Sequence, residues 1–416
     1  MAISRPQNGA VGNILRRYYS VWAMYSFASG FLFGVYPIFL HTRGLNQFQI
    51  NSVLAMFFVV LFVTDVPTGA FADLLGRRRS YVLGAALRVC AFIVYAFAHH
   101  YWVFLIAESI DGVGTTFGNG AIDAWGVDAL DDAGYEGVKD RLFSRISQMS
   151  TATFMVSAVV GAYVADINIA YPWLLGATGY LISGSVGAYL MHDERPRAVA
   201  IRIAAIPGHV ATRVVDGIRI GFKSRTVLML SASAAITVAA WAPYWVEWPV
   251  MFNQSFGVGV WIIGWIYCGL SAARMIGAEI SLRRPVFESQ RPARTGALVA
   301  GASVMLFLAG VFGGQPLISL AMLFGMNLFT GALMPLTQTW FNEQIESNNR
   351  ATLLSFRSTF DTMGGAAGLL FAGRIADTAG IPFEWQIAGL ISVCAAPLYW
   401  AIKPVMSRAA ITVAAK

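Results

Sequence analysis

Two carboxylates, Glu108 and Asp111, stand three residues apart inside an apolar run from 101 to 124. That spacing is close to one helical turn, so both acids fall on one helix face. An ionisable side chain inside a membrane costs about 2.5 to 3.5 kcal/mol, so each needs a reason to be there. Like charges on one buried face repel, and burial disfavours the charged form, so one of the two is expected to carry a proton. Proton loading and release is the chemistry such a pair suits. Asp111, near mid-span, is favoured over Glu108, which lies nearer the edge. The competing reading is structural: both acids bond to hydroxyls or arginines of neighbouring helices and never titrate.

Other charges sit within apolar runs. Arg357 and Asp361 are spaced i, i+4 and can pair on one face; they read either as a self-satisfied pair or as a binding or coupling pair, with Asp361 a further proton candidate. Arg88 and Arg274 are candidate substrate contacts, although Arg274 can also snorkel towards an edge. Aromatic residues crowd two runs, and WAPYWVEWP (241–249) is the denser. Trp245 and Trp248 read as an interface belt, whereas Tyr25 and Trp241, further from the edges, read as pocket walls for an apolar or cationic solute. Among the histidines no metal-ligand spacing is visible in the spans, and no metal or cofactor is expected. The cysteines Cys90, Cys268 and Cys394 read as packing residues.

The elements that must carry these residues follow from composition. Of 416 residues, 57% are hydrophobic and 12% charged, with a mean hydropathy of +0.60; soluble domains hold roughly 25% charged residues. Apolar runs bounded by charges or turn residues predict twelve membrane helices, at 17–40, 50–72, 81–98, 101–124, 142–164, 171–191, 226–248, 259–281, 295–312, 315–340, 351–373 and 382–403. The long polar stretch between the sixth and seventh reads as a linker with an amphipathic piece around 210–222. The expected plan is all-α and integral to the membrane: a six-helix bundle over 1–191, a linker over 192–225 and a second six-helix bundle over 226–416. An internal repeat agrees with pseudo-symmetric halves: GAYVAD ends at Asp166 and AGRIAD at Asp377, each closing a segment that opens near a basic residue.

The run GAFADLLGRRRS, 69–80, fills the short gap between the second and third apolar runs. Its arginines place that gap on a membrane face. Basic residues gather in the loops on this side, including Arg16, Arg17, Arg283, Arg284, Arg291 and Arg294, while the other face holds Arg43 and Arg374. The positive-inside rule then makes this side, and both termini, cytoplasmic. The net charge of +7 is thus directed at anionic lipid, not nucleic acid.

With Gly69, Asp73, Gly76, Arg77 and Arg78 in order, the loop resembles the signature joining helices 2 and 3 of the major facilitator superfamily. The resemblance implies twelve helices in two halves and a secondary transporter working by rocker-switch alternating access. It also implies a conformational latch of Asp73, Gly76 and Arg77 with Asp123 or Asp128, and Asp73 near the start of segment 11. Three departures stand out. The equivalent stretch from Gly277, GAEISLRRP, lacks the spaced aspartate; segment 4 has an acid where many proton-coupled members have an arginine; and segment 5 has Gly161 but no glycine-proline motif.

The leading expectation is a proton-coupled exporter of a small organic molecule in the inner membrane, working as a monomer. The alternatives are a proton-coupled importer or uniporter of a specific metabolite, and a non-transporting membrane receptor. No GxxxxGK[ST] loop occurs, which argues against an ATP-driven pump. No enzyme activity is expected.

Overall fold

Long apolar runs fold as helices because a lipid environment leaves backbone groups no partner but one another. The structure is a computed structural model and describes residues 8–135, 137, 139–192, 222, 225–284, 286–343 and 350–402. Apart from His192, Phe222 and Arg225, the expected linker and its amphipathic piece lie outside the described residues. All regular structure among the described residues is helical. The first half comprises α1 (Asn8–Gly30), α2 (Val35–Thr42), α3 (Gln47–Leu75), α4 (Arg77–Phe97), α5 (Tyr101–Asp132), α6 (Lys139–Ile167) and α7 (Tyr171–Leu190). The second comprises α8 (Arg225–Trp241), α9 (Tyr244–Phe256), α10 (Trp261–Arg283), α11 (Arg291–Val311), α12 (Pro316–Glu343), α13 (Arg350–Ala379), α14 (Ile381–Val393) and α15 (Ala395–Trp400).

Each apolar run of the sequence falls on one helix or on a broken pair. The first run breaks between α1 and α2, where Gly34 takes a φ of 80°. The seventh breaks at Ala242–Pro243 and continues through Pro249 to Phe256, beyond its expected end at 248. The last breaks at Cys394. Pro67 is carried inside α3 without ending it. Among the described residues, nine stretches are long and apolar enough to cross a membrane. Of the remaining long helices, α5 and α13 are diluted by their own charges, and α7 by glycine, serine and tyrosine. Large apolar side chains such as Phe97, Tyr189 and Phe371 point outward, 70%, 80% and 75% exposed, as helices facing lipid do. Cys90 and Cys394 are exposed too, so they are not packed inside as expected.

The chain forms two compact units. The first holds α1, α2, α4 to α7 and most of α3; the second holds α8, α9, α11 to α15 and most of α10. The first turns of α3 (46–55) group with the second unit, and 258–267, which opens α10, with the first. The internal packing repeats. In the first unit α1 packs on α6 and α7, and α4 on α5 and α7; in the second α8 packs on α13 and α14, and α11 on α12 and α14. The aspartates of the sequence repeat play matching parts. Asp166, closing α6, accepts the backbone N–H groups of Val260 (2.6 Å) and Trp261 (3.2 Å) at the start of α10. Asp377, near the end of α13, accepts the N–H of Gln47 (2.7 Å) at the start of α3. In both cases a carboxylate meets the positive end of a helix.

Candidate functional site

In the first unit α4 and α5 approach closely because glycines face the contact. A Cβ at Gly114 would lie 2.7 Å from Arg88 Cγ and 2.9 Å from the Gly84 carbonyl oxygen. This approach lays the Arg88 guanidinium against Asp111. Nε donates to Oδ1 at 2.7 Å and Nη2 to Oδ2 at 3.1 Å, a two-pronged match of planar groups. The third branch, Nη1, donates to the Tyr25 hydroxyl of α1 at 3.0 Å. The cation also lies 4.2 Å from the Tyr180 ring centre of α7, and 5.5 Å from those of Tyr25 and Phe92. Four helices therefore converge on one guanidinium. Arg88 and Asp111 are 8% and 7% exposed, so the pair is shielded from water.

Glu108, one turn earlier on α5, has a different surrounding. It is 5% exposed and accepts a hydrogen bond from the Tyr95 hydroxyl. The Tyr95 ring stacks on Trp173, centres 4.0 Å apart and nearly parallel at 7°. Arg88 and Asp111 cancel one another, so an ionised Glu108 leaves this buried cluster with one net negative charge and a protonated Glu108 leaves it neutral. The two acids thus differ in their surroundings: Asp111 is the partner of a buried cation, and Glu108 meets a tyrosine hydroxyl.

In the second unit Arg274 of α10 donates to Asn327 Oδ1 at 3.3 Å and stands over the Trp245 ring at 4.4 Å. Asn327 in turn donates to the Tyr244 hydroxyl at 2.9 Å. Trp241 is half-buried, and its Nε1 has no partner among the described residues. Arg357 and Asp361 form the expected pair at 3.7 Å, with Arg357 also over the Phe341 ring at 4.7 Å. Asp361 Oδ1 is left without a partner among the described residues. The belt expectation fails for Trp248, which is fully buried inside its unit.

At the signature loop, Gly76 is the single residue between α3 and α4 and adopts a φ of 99°, a left-handed value that glycine accommodates without strain. Arg77 pairs with Asp73 at 2.7 Å and reaches Asp128 at 4.0 Å. Asp123 is engaged elsewhere, accepting from the Tyr18 hydroxyl at 2.7 Å and Trp22 Nε1 at 3.0 Å. Sequence reasoning missed Tyr95, Tyr180 and Asn327. For Tyr180 and Asn327 the signal was a lone hydroxyl or amide far from either end of an apolar run, whereas Tyr95 lies near the end of α4. Among the described residues no group of three or more His, Cys, Asp or Glu side chains is placed to hold a metal.

Comparisons with known proteins agree with this architecture. The chain is 24% identical over 386 residues to multidrug resistance protein MdtH of Cronobacter sakazakii, covering 88% of this chain and 89% of that one. It is 19% identical over 398 residues to the MFS-type transporter YxaM of Bacillus subtilis, with 92% and 94% covered. Among solved structures, the nucleoside transporter NupG superposes with a TM-score of 0.74 at 14% identity, covering 94% of this chain and 98% of that one. The D-xylose-proton symporter superposes with a TM-score of 0.73 at 12% identity, covering 95% and 98%. At such identities these structures speak to the fold alone. The Major Facilitator Superfamily profile matches residues 20–328, taking in helices of both units, and the chain belongs to that family.

Proposed function

We propose that this facilitator-family transporter is a proton-coupled exporter that moves a small organic molecule by rocker-switch alternating access. The observation that carries the reading is the buried cluster of Arg88, Asp111 and Glu108. A fixed ion pair beside one acid with a tyrosine hydroxyl for company makes proton occupancy decide the net charge of a membrane-buried site. Glu108 exchanges the proton, Asp111 holds Arg88 in place, and Asp361 is a second candidate acid. Tyr25, Arg88, Trp241, Arg274 and Arg357 are the proposed substrate contacts, their rings and guanidinium planes suited to flat or charged solutes. Asp73, Gly76, Arg77 and Asp128 form the latch, with Asp123 holding α1 to α5 beside it. The export direction draws support from the multidrug-resistance name of MdtH. The basic residues of its loops support cytoplasmic termini in an inner membrane, and the proposed working unit is a monomer.

A second reading, uptake of a specific metabolite, is favoured by one observation: α6 carries Gly161 but no proline. Reconstitution in liposomes with a panel of fluorescent organic cations and anions separates the two. Export predicts that an outward-directed substrate flux rises when protons are driven inward. A flux that responds only to the substrate's own gradient would remove proton coupling, and one that accumulates substrate in the direction of proton flow would reverse the assignment.

A further inference from the structure

The second unit buries two acids that the proton reading above does not use. Glu247 of α9 is fully buried and Glu384 of α14 is 3% exposed, and the two acids are close enough to act on one another. Two neighbouring buried carboxylates repel one another and lose their hydration, so the arrangement favours one shared proton over two anions. The surroundings say which acid carries it. Glu247 Oε1 accepts from Asn51 Nδ2 at 3.0 Å and Oε2 accepts from Trp385 Nε1 at 3.0 Å, so both its oxygens already serve as acceptors. Glu384 Oε2 is buried with no partner among the described residues, an arrangement that a neutral carboxylic acid tolerates far better than an anion. The proton therefore sits on Glu384, beside Glu247.

The pair is wired to the first turns of α3. Asn51, which donates to Glu247, accepts at its own Oδ1 from Gln47 Nε2 at 2.8 Å, and the Gln47 backbone N–H is held by Asp377. The groups facing the pair are few. α3 presents Gln47 and Asn51, and α14 presents Trp385, whose ring meets Tyr244 of α9. From α13 comes Asp377, three hydrogen bonds away, while Arg374 is exposed. Arg274 of α10 lies beyond, beside Tyr244. No cation among the described residues bonds to either acid, so removing the shared proton leaves two adjacent anions.

We propose that Glu247 and Glu384 form a proton-binding site, distinct from the Glu108 cluster, whose occupancy holds the first turns of α3 in place through Asn51 and Gln47. Its meaning for transport rests on the proton coupling proposed above, but its test involves no transport, so either can fail alone. Full-length protein in detergent micelles is followed by hydrogen–deuterium exchange over residues 47–55 across a pH series, corrected for intrinsic exchange, beside the infrared carbonyl band of protonated carboxyl groups. Protection of this segment should fall by about tenfold for each unit of pH above the point where the pair loses its proton. Glu384→Gln should abolish a carbonyl band present in the wild type and make protection independent of pH, since an amide stays neutral beside Glu247 without a titrating proton. Wild-type protection that ignores pH, or a carbonyl band untouched by Glu384→Gln, would overturn the proposal. The wild-type series decides on its own even if the variant does not fold.

Discussion

Replacing Asp111 by asparagine removes the carboxylate that Arg88 grips and leaves a guanidinium buried at 8% exposure. Breaking a buried ion pair from one side costs about 3 to 5 kcal/mol. The Tyr25 hydroxyl at 3.0 Å and the Tyr180 face at 4.2 Å remain and offset about 1 to 2 kcal/mol of that. Asp111→Asn should therefore destabilise the first unit by about 2 to 4 kcal/mol. Arg88→Met orphans the opposite charge, with an important difference: a carboxyl can take up a proton, whereas a guanidinium cannot give one up. The penalty of Arg88→Met should shrink as the pH is lowered, and that of Asp111→Asn should not. The double substitution Arg88→Met/Asp111→Leu replaces both charges by apolar groups and should cost less than Asp111→Asn alone, by about 1 kcal/mol or more. Reversible unfolding in mixed micelles, by titration with dodecyl sulfate, measures all three. If the double variant loses the sum of the two single losses, the pair is not a coupled unit and the reasoning fails.

Three further outcomes follow from the same contacts. Gly114→Val places methyl groups where Arg88 Cγ and the Gly84 carbonyl already lie within 3 Å of a Cβ; it should destabilise by about 1 to 3 kcal/mol, measured by the same titration, and a neutral result would mean that α4 and α5 are not held this close. Asp166→Ala removes the acceptor of two α10 backbone N–H groups, so amide exchange at 260 and 261 should rise by about tenfold, the equivalent of a helix cap worth roughly 1 kcal/mol; unchanged exchange would refute the cap. Arg77→Gln breaks a pair with partners 22% and 48% exposed, so stability should move by no more than about 1 kcal/mol, while substrate flux in liposomes should change if the loop acts as a latch.

What could be read in the sequence depended on whether partners share a helix. Arg357 and Asp361 are four residues apart, so helical geometry alone anticipates their pairing at 3.7 Å; Arg77 and Asp73 are the same case. Asp111 and Arg88 are 23 residues apart on adjacent helices, and periodicity within one helix says nothing of that distance. Bonding to an arginine or a hydroxyl of a neighbouring helix was the structural alternative for Glu108 and Asp111, and Arg88 and Tyr95 of α4 supply those partners; which residues would do so could not be read from one helix. Glu247 was hidden differently. Set among tryptophans at the expected end of an apolar run, it looks interfacial, yet α9 runs on to Phe256 and buries it completely. Most segment limits were legible to within a few residues, because a lipid-facing helix must be apolar along its exposed length; the exceptions are α1, which opens earlier than its run, and α5, α9 and α13, which continue well past theirs. Breaks at Gly34 and Pro243 were not, since proline and glycine are tolerated within membrane helices and mark a kink only when the packing around them demands one.

Proton coupling through Glu108 is the claim on which the functional reading turns. The direct measurement is proton movement recorded by a pH-sensitive dye trapped in proteoliposomes when a transported fluorescent cation is added, with no imposed gradient, for wild type and Glu108→Gln. Counter-movement of protons with substrate in the wild type, lost in Glu108→Gln while substrate exchange down its own gradient persists, is the expected result. Equal proton movement in the two proteins would contradict it.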